Sequence, residues 1–389
     1  MLALLAEKSL LARNEISANL FPREAEPLAH ICKEMAERFM AGGRLLAFGE
    51  GPYTTDAQHV SVEFVHPVIV GKRALPALDI SLFFKQGLLP ILHPEDMVMG
   101  FAPPEGSPAV EEALAIASRQ NALTFALSGN LGSYTLSSPS TNPYIHQEMI
   151  EILYHTLWET VHVFFEHQEL GQEVGEAAFL YPFLGTQTTT SVSLIQEVAT
   201  SIQMKAKEDE VLRQQIAEES AELIAETAKA IANRLKQGGK LILFGNGGSA
   251  TDANDWALDC VLPPAGAPPI PAISLSMESA NLTAIANDVG VEVIFQRQLI
   301  AHAAPEDVAI GISTSGGSTN IIMALEEARK RGLLTVALLG YDGGEIARKH
   351  LADFALIVSS DYIPRIQEIQ ASIYHTLLEL LHYLLQHHA

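Results

Sequence analysis

Cysteine is nearly absent from this chain: Cys32 and Cys260 are its two thiols in 389 residues. Two isolated cysteines exclude a disulfide framework and point to a reducing compartment. Basic residues are also scarce, 24 Lys and Arg against 46 Asp and Glu, for a formal net charge of −22. Binding along a nucleic-acid backbone needs clustered Lys and Arg, so a direct nucleic-acid partner is not expected. Aromatic residues make up 7%, which leaves the core to Ala, Leu, Ile and Val. No apolar run reaches the roughly 18–20 residues of a membrane-spanning helix. The opening MLALLAEKSLLARNEIS is broken by Glu7 and Lys8 and lacks a basic start and an A-x-A site, unlike a secretory signal. These absences together lead us to expect a cytoplasmic protein without a membrane partner.

What is present is a unit written twice. Ala41–Gly51 (AGGRLLAFGEG) matches Gln237–Gly247 (QGGKLILFGNG) at an offset of 196. Thr124–Gly129 matches Thr335–Gly340 at 211, and Gln147–His155 matches Gln367–His375 at 220. The offset only grows along the chain, as insertions into a duplicated domain require, and chance matches would not be ordered in this way. A repeat of this kind decides the architecture before any local reading. The expected organisation is a domain over 1–167, a linker over 168–193 and a second domain over 194–389. The linker's Phe179, Leu180, Tyr181, Phe183 and Leu184 make it too apolar for a free tether, so it is expected to pack against a domain.

Each copy reads as alternating strand and helix. Helical patterns over Pro27–Met40 and about Glu208–Lys236 lead into short apolar runs, Leu45–Phe48 and Leu241–Phe244, that end in glycine-rich turns. Such runs read as buried parallel strands. Further strands are expected at Ala77–Ile80, Met97–Phe101 and Thr124–Leu127, and in the second copy at Ala272–Leu275, Val308–Ile312, Thr335–Leu339 and Ala355–Val358. Helices over His146–His167 and Arg365–His387 close the two copies. The expected fold class is α/β, two tandem domains, each a parallel sheet with helices on both faces.

Two loops of the second copy carry the strongest local chemistry. Gly245-Asn246-Gly247-Gly248-Ser249 and Ser313-Thr314-Ser315-Gly316-Gly317-Ser318-Thr319 each follow a strand and open a helix. Glycines let a ligand approach the backbone, free helix N–H groups favour an anion, and hydroxyls add donors. Two such loops at the carboxyl ends of neighbouring parallel strands face one crevice, the place for a phosphate. The first copy has Gly49-Glu50-Gly51-Pro52-Tyr53-Thr54 and Ala102-Pro103-Pro104-Glu105-Gly106-Ser107-Pro108 instead. Acids replace donors there, and Pro52 removes a backbone N–H.

GNGGSATDA, Ala286-Asn287-Asp288, Ile294-Phe295, Gly311-Ile312-STSGGST-Asn320, Asp342-Gly343-Gly344 and Arg365-Ile366-Gln367-Glu368 resemble a sugar isomerase (SIS) domain of the phosphoheptose isomerase type. The resemblance runs over roughly Glu208–His387, and the internal repeat extends it more weakly to Leu10–His167. It implies flavodoxin-like SIS domains whose hydroxyl-rich loops hold a sugar phosphate. By resemblance, Asn246, Gly247, Ser249, Ser313, Thr314, Ser315 and Ser318 bind the substrate, together with Asp288 and Gln367. It also implies a zinc site formed by a His and a Glu four residues apart and, on the closing helix, a Gln and a His eight apart. The first copy keeps that set as His59, Glu63, Gln147 and His155. The second has Asp255 and Asp259, then Gln367 and His375. A further departure lies before Arg365-Ile366-Gln367-Glu368: the family resembled has an acid shortly before this segment, whereas here Pro364 precedes it, with Asp361 three residues further back.

The expected activity is aldose–ketose isomerisation of a phosphorylated sugar such as sedoheptulose 7-phosphate. Glu63 with His155, or Asp259 with His375, are the candidates for moving the protons. The alternative is a catalytically inactive SIS protein that senses a sugar phosphate or scaffolds an assembly. By analogy with the family's tetramers, a homo-oligomer is expected, a dimer of fused pairs. His382, His387 and His388 read as solvated tail residues, and His66, His146 and His162 as packing residues.

Overall fold

The computed structural model describes residues 1–67, 72–169 and 191–387. Two compact units emerge, Glu15–Glu210 and Met1–Asn14 together with Val211–Ala389. These boundaries differ from 1–167 and 194–389 because they fall inside two long helices, α1 (Leu2–Met40) and α6 (Ser191–Lys236). Helix α1 begins well before Pro27 and runs through Pro22 and Pro27. Each proline removes one i→i−4 hydrogen bond, but buried Leu20, Phe21, Ala25 and Leu28 pack on either side of them. Most of the expected linker lies outside the described residues.

The first unit holds β1 (Leu45–Gly49), β2 (Ala77–Asp79), β3 (Met97–Phe101), β4 (Leu123–Leu127) and β5 (Tyr134–Leu136). They form one parallel sheet in the order β2-β1-β3-β4-β5. Around it lie α2 (Thr54–Val65), α3 (Phe84–Ile91), α4 (Pro108–Arg119) and α5 (Pro143–Glu169). Strand β5 was not anticipated; three residues between Ser133 and Ser137 are too few to show a period. Its edge is fixed by Ser133 and Thr124, where the Ser133 amide donates to Thr124 Oγ1 at 3.0 Å.

The second unit repeats the plan with β6 (Leu241–Gly245), α7 (Gly248–Val261), β7 (Ala272–Ser274), α8 (Ser279–Asp288), α9 (Ile294–His302) and β8 (Val308–Ser313). It continues through α10 (Thr319–Lys330), β9 (Leu334–Gly340), α11 (Gly344–Arg348), β10 (Phe354–Val358) and α12 (Ile363–His387). The sheet order is β10-β9-β8-β6-β7, again all parallel. Each core is largely aliphatic: Leu46, Val98, Ala113 and Leu114 in the first unit, Ile242, Ala309, Leu325 and Leu339 in the second. Near the start of α1, Ser9 Oγ meets Thr376 Oγ1 of α12 at 3.0 Å, tying Met1–Asn14 into the second unit.

The units also share the anchors that position their loops. The Arg44 amide donates to Asp96 Oδ1 at 2.9 Å and the Lys240 amide to Asp307 Oδ1 at 2.9 Å, so a buried aspartate pins the foot of each first strand. At the other end the strand finishes on a glycine. A Cβ on Gly49 would stand 2.1 Å from Tyr53 O, and one on Gly245 would stand 2.1 Å from Ser249 O. Gly245→Ala therefore has to push α7 off β6 and lower the unfolding free energy by about 1–3 kcal/mol or more. Chemical denaturation of the variant checks this, and wild-type stability would show that the approach is not tight.

Candidate functional site

The two hydroxyl-rich loops lie where the sequence puts them, at the carboxyl ends of the neighbouring strands β6 and β8. Gly247 has φ of +57°, a conformation that an L side chain rarely adopts, and α7 begins at the next residue. Ser249 is buried in the first turn of that helix. Across the crevice, Ser313 Oγ lies 3.3 Å from Ser318 Oγ and accepts the Gly316 amide at 3.2 Å. Ser315 is exposed, and its Oγ accepts the Gly317 amide at 3.2 Å. Thr314 is half-buried beside it. The loops are joined by a reciprocal amide pair, each of Asn246 and Asn320 donating to the other at 2.9 Å. Asn320 opens α10 and was quoted in the motif without a role; the structure makes it the brace between the loops. Asp288 is exposed at the end of α8 and accepts from the neighbouring Asn287 side chain at 2.7 Å.

Helix α7 carries Asp255 and Asp259 one turn apart, and α12 brings His375 to both. His375 Nε2 is 3.1 Å from Asp259 Oδ2 and 3.5 Å from Asp255 Oδ2, all three residues buried. Tyr374, the residue before it, donates its hydroxyl to Asp255 Oδ2 at 2.7 Å. This tyrosine escaped the sequence reading, although Tyr-His recurs in both copies. Gln367 is buried two turns earlier on α12, and its Oε1 has no hydrogen-bond partner. Cys260 follows Asp259, and burial first, then the two aspartates, push its thiol well above the usual range, so it is an unreactive packing residue.

The first unit gathers a richer set. His59 and Glu63 sit four apart on α2, with His59 Nε2 3.8 Å from Glu63 Oε1. His155 Nε2 from α5 approaches His59 Nε2 to 3.4 Å. The third residue whose ligand atom lies within 4.8 Å of both histidines is Glu151. Gln147 is also buried, and its Nε2 donates to Asp56 Oδ2 at 3.1 Å and to Thr55 Oγ1 at 3.4 Å. Glu151 was overlooked, yet it stands four residues before His155 and so on the same face of α5. The second unit has Ala371 at the matching place.

The loops of the first unit serve structure. His146 Nε2 lies 2.9 Å from Ala102 O and its Nδ1 3.0 Å from Ser138 Oγ, tying the 102–108 loop to α5. Among the tail histidines, His382 is buried, not solvated, because α12 packs against the core over most of its length. His387 is exposed, and His388 lies outside the described residues.

Two parallel sheets of this order, one carrying a pair of glycine- and hydroxyl-rich loops, define the class: tandem α/β domains of the sugar isomerase type. A SIS domain family profile matches residues 206–340. The phosphoheptose isomerase of Solidesulfovibrio magneticus is 45% identical over 168 residues, covering 43% of this chain and 81% of that protein. That of Thermodesulfovibrio yellowstonii is 42% identical over 186 residues, 48% of this chain and 92% of the relative. The C-terminal domain of glucosamine-fructose-6-phosphate aminotransferase from Francisella tularensis matches 96% of this chain and 95% of its own, with a TM-score of 0.58 at 8% identity. Tagatose-6-phosphate ketose/aldose isomerase from Escherichia coli covers 98% of this chain and 94% of its own, with a TM-score of 0.52 at 13% identity. The last two show the fold alone, and they show it over both halves. The chain belongs to the SIS family, as a tandem of two SIS domains of the phosphoheptose isomerase type.

Burial, opposed by the Ala102 contact, lowers the pKa of His146 from 6.5 to about 4. Between those values the unfolded chain binds a proton that the folded one refuses, so stability rises with pH across the window. Acidification from pH 6.5 to 4 should therefore remove up to about 3 kcal/mol through this residue. Denaturation of wild type and His146→Gln over that range tests it; identical pH slopes would contradict the assignment.

Proposed function

We propose that this chain is a sugar-phosphate isomerase that interconverts aldose and ketose forms of a substrate such as sedoheptulose 7-phosphate. The observation that carries the reading is the hydroxyl-rich cradle at the start of α7 with a buried Asp–His pair further along the same helix. Ser249, Ser313 and Ser318, with the Gly247 amide, are the groups to receive the phosphate. Asp255 stands six residues past Ser249, roughly 9 Å along the axis at 1.5 Å per residue. An extended sugar chain anchored by its phosphate reaches that far. It would bring the carbonyl end toward Asp255, Asp259 and His375.

Isomerisation removes a proton from the carbon next to the carbonyl and returns it to the neighbouring carbon through an enediol. One of Asp259 and His375 accepts that proton, while its partner protonates the oxygen on which charge develops. The 3.1 Å contact between them lets the proton be passed within the pair. Tyr374 holds Asp255 and leaves Asp259 as the carboxylate closer to His375.

Zinc belongs to the same proposal. The first unit's donors, two imidazoles with Glu151 and Glu63, are of the kind zinc prefers, and they are buried as such a site requires. The second unit's two carboxylates and single imidazole suit harder, oxygen-loving ions better. His59, Glu151 and His155, with Glu63 beside them, would hold the zinc, whose role in the first unit would be structural, since the carbonyl end is brought to Asp259 and His375 in the second.

Two measurements test this reading. In D2O with added zinc, proton NMR of sedoheptulose 7-phosphate should show deuterium uptake next to the carbonyl and appearance of the aldose. Asp259→Asn should slow both by about 100-fold or more. Broadened ligand signals with no exchange would favour the sensor or scaffold reading instead. Metal analysis should find one zinc per chain, with Glu151→Gln lowering zinc affinity more than Gln147→Ala does. The reverse order would return the ligand role to Gln147.

A further inference from the structure

The first unit keeps the layout of the phosphate loops, and one of its own side chains sits in them. By the offsets of the repeat, Glu50 stands where the second unit has Asn246, and Ser107 stands where it has Ser318. An acid at this place would repel a bound anion, but that is half of what it does. Glu50 Oε2 accepts the Ser107 hydroxyl at 2.6 Å, and Glu50 Oε1 pairs with Lys85 Nζ at 2.6 Å. Ser107 is 6% exposed and its Oγ accepts the Val110 amide at the start of α4; Ser318 holds the matching position before α10 without a side-chain cap bond. Lys85 comes from the first turn of α3, its ammonium 5.8 Å from the Phe84 ring centroid; counted from the corresponding strands β2 and β7, which lie 195 residues apart, the second unit has Ala280 at the matching place. A hydroxyl and an ammonium converging on one oxyanion are the contacts a phosphate monoester would receive.

We propose that Glu50 is a built-in anion that fills the first unit's cradle, closing it to phosphorylated ligands and leaving each chain a single phosphate site. Lys85 first and Ser107 second hold the Glu50 carboxyl below its ordinary range, against the effect of burial, so the plug stays charged. Pro52 and Pro108 take two amide donors out of the same loops, and His146 fixes their backbone through Ala102. The count of one per chain rests on the phosphate reading of the second unit. The plug itself does not.

The test is a calorimetric titration of the full chain with inorganic phosphate. Wild type should bind one phosphate per chain and lose it in Ser318→Ala. Glu50→Gln, and separately Glu50→Asn to restore the second unit's residue, should bind two. Adding Lys85→Ala should weaken the new site by at least about tenfold. Two phosphates bound by wild type would overturn the plug. So would one bound by both Glu50 variants with wild-type melting curves. None in wild type but one in the Glu50 variants would support the plug and refute the phosphate reading of the second unit.

Discussion

A Cβ on Gly245 would lie 2.1 Å from the Ser249 carbonyl oxygen, and one on Gly49 would lie 2.1 Å from that of Tyr53. Strand and helix can approach so closely only where the side chain is absent. The consequence travels along the helix. With α7 seated directly over the end of β6, its first turn lines the crevice beside the β8 loop. The 3.6-residue period then sets Asp255 and Asp259 toward the closing helix α12. The same contact in the first unit aims His59 and Glu63 at His155 and Glu151. One glycine in each half thus sets the cradle and the acid–base or metal-ligating cluster on a single rigid element.

Duplication left the two halves free to divide the chemistry. The second has the hydroxyl-rich loops and carries Asp255 where the first has His59; the first has two clustered histidines and carries acids and prolines in its loops. Charge accounts for how each half remains a stable fold. Where the first unit lost ligand-binding loops it gained internal partners, Lys85 and Ser107 for Glu50 and Ala102 for His146. Where the second unit has Asp255, Tyr374 donates its hydroxyl to that carboxylate.

The fold was legible because a parallel sheet buries both faces: Leu45–Phe48, Met97–Phe101 and Val308–Ile312 are continuous apolar runs that glycine turns punctuate. β5 was not, since Tyr134–Leu136 is too short to carry a pattern, and neither was the start of α1, where Pro22 and Pro27 argue locally for a break that packing overrides. The phosphate loops could be read because each is contiguous in sequence. Clusters assembled from two helices were harder. The family resemblance supplied His59, Glu63, Gln147 and His155 from positions far apart in the chain, and the amide nitrogen of Gln147 donates to Asp56 and Thr55. Glu151 has no counterpart in the second copy, so comparing copies could not find it. Lys85 is likewise set by spatial proximity to Glu50 and by no motif.

In the proposed function the second half alone cradles the phosphate and presents the sugar's carbonyl end to Asp259 and His375. A crystal structure of the chain soaked with sedoheptulose 7-phosphate tests it most directly. Phosphate density is expected between the 245–249 and 313–319 loops, with the C1–C2 end within hydrogen-bond reach of Asp259 or His375. Phosphate bound at the 49–54 loop of the first half, or a sugar pointing away from α12, would contradict it.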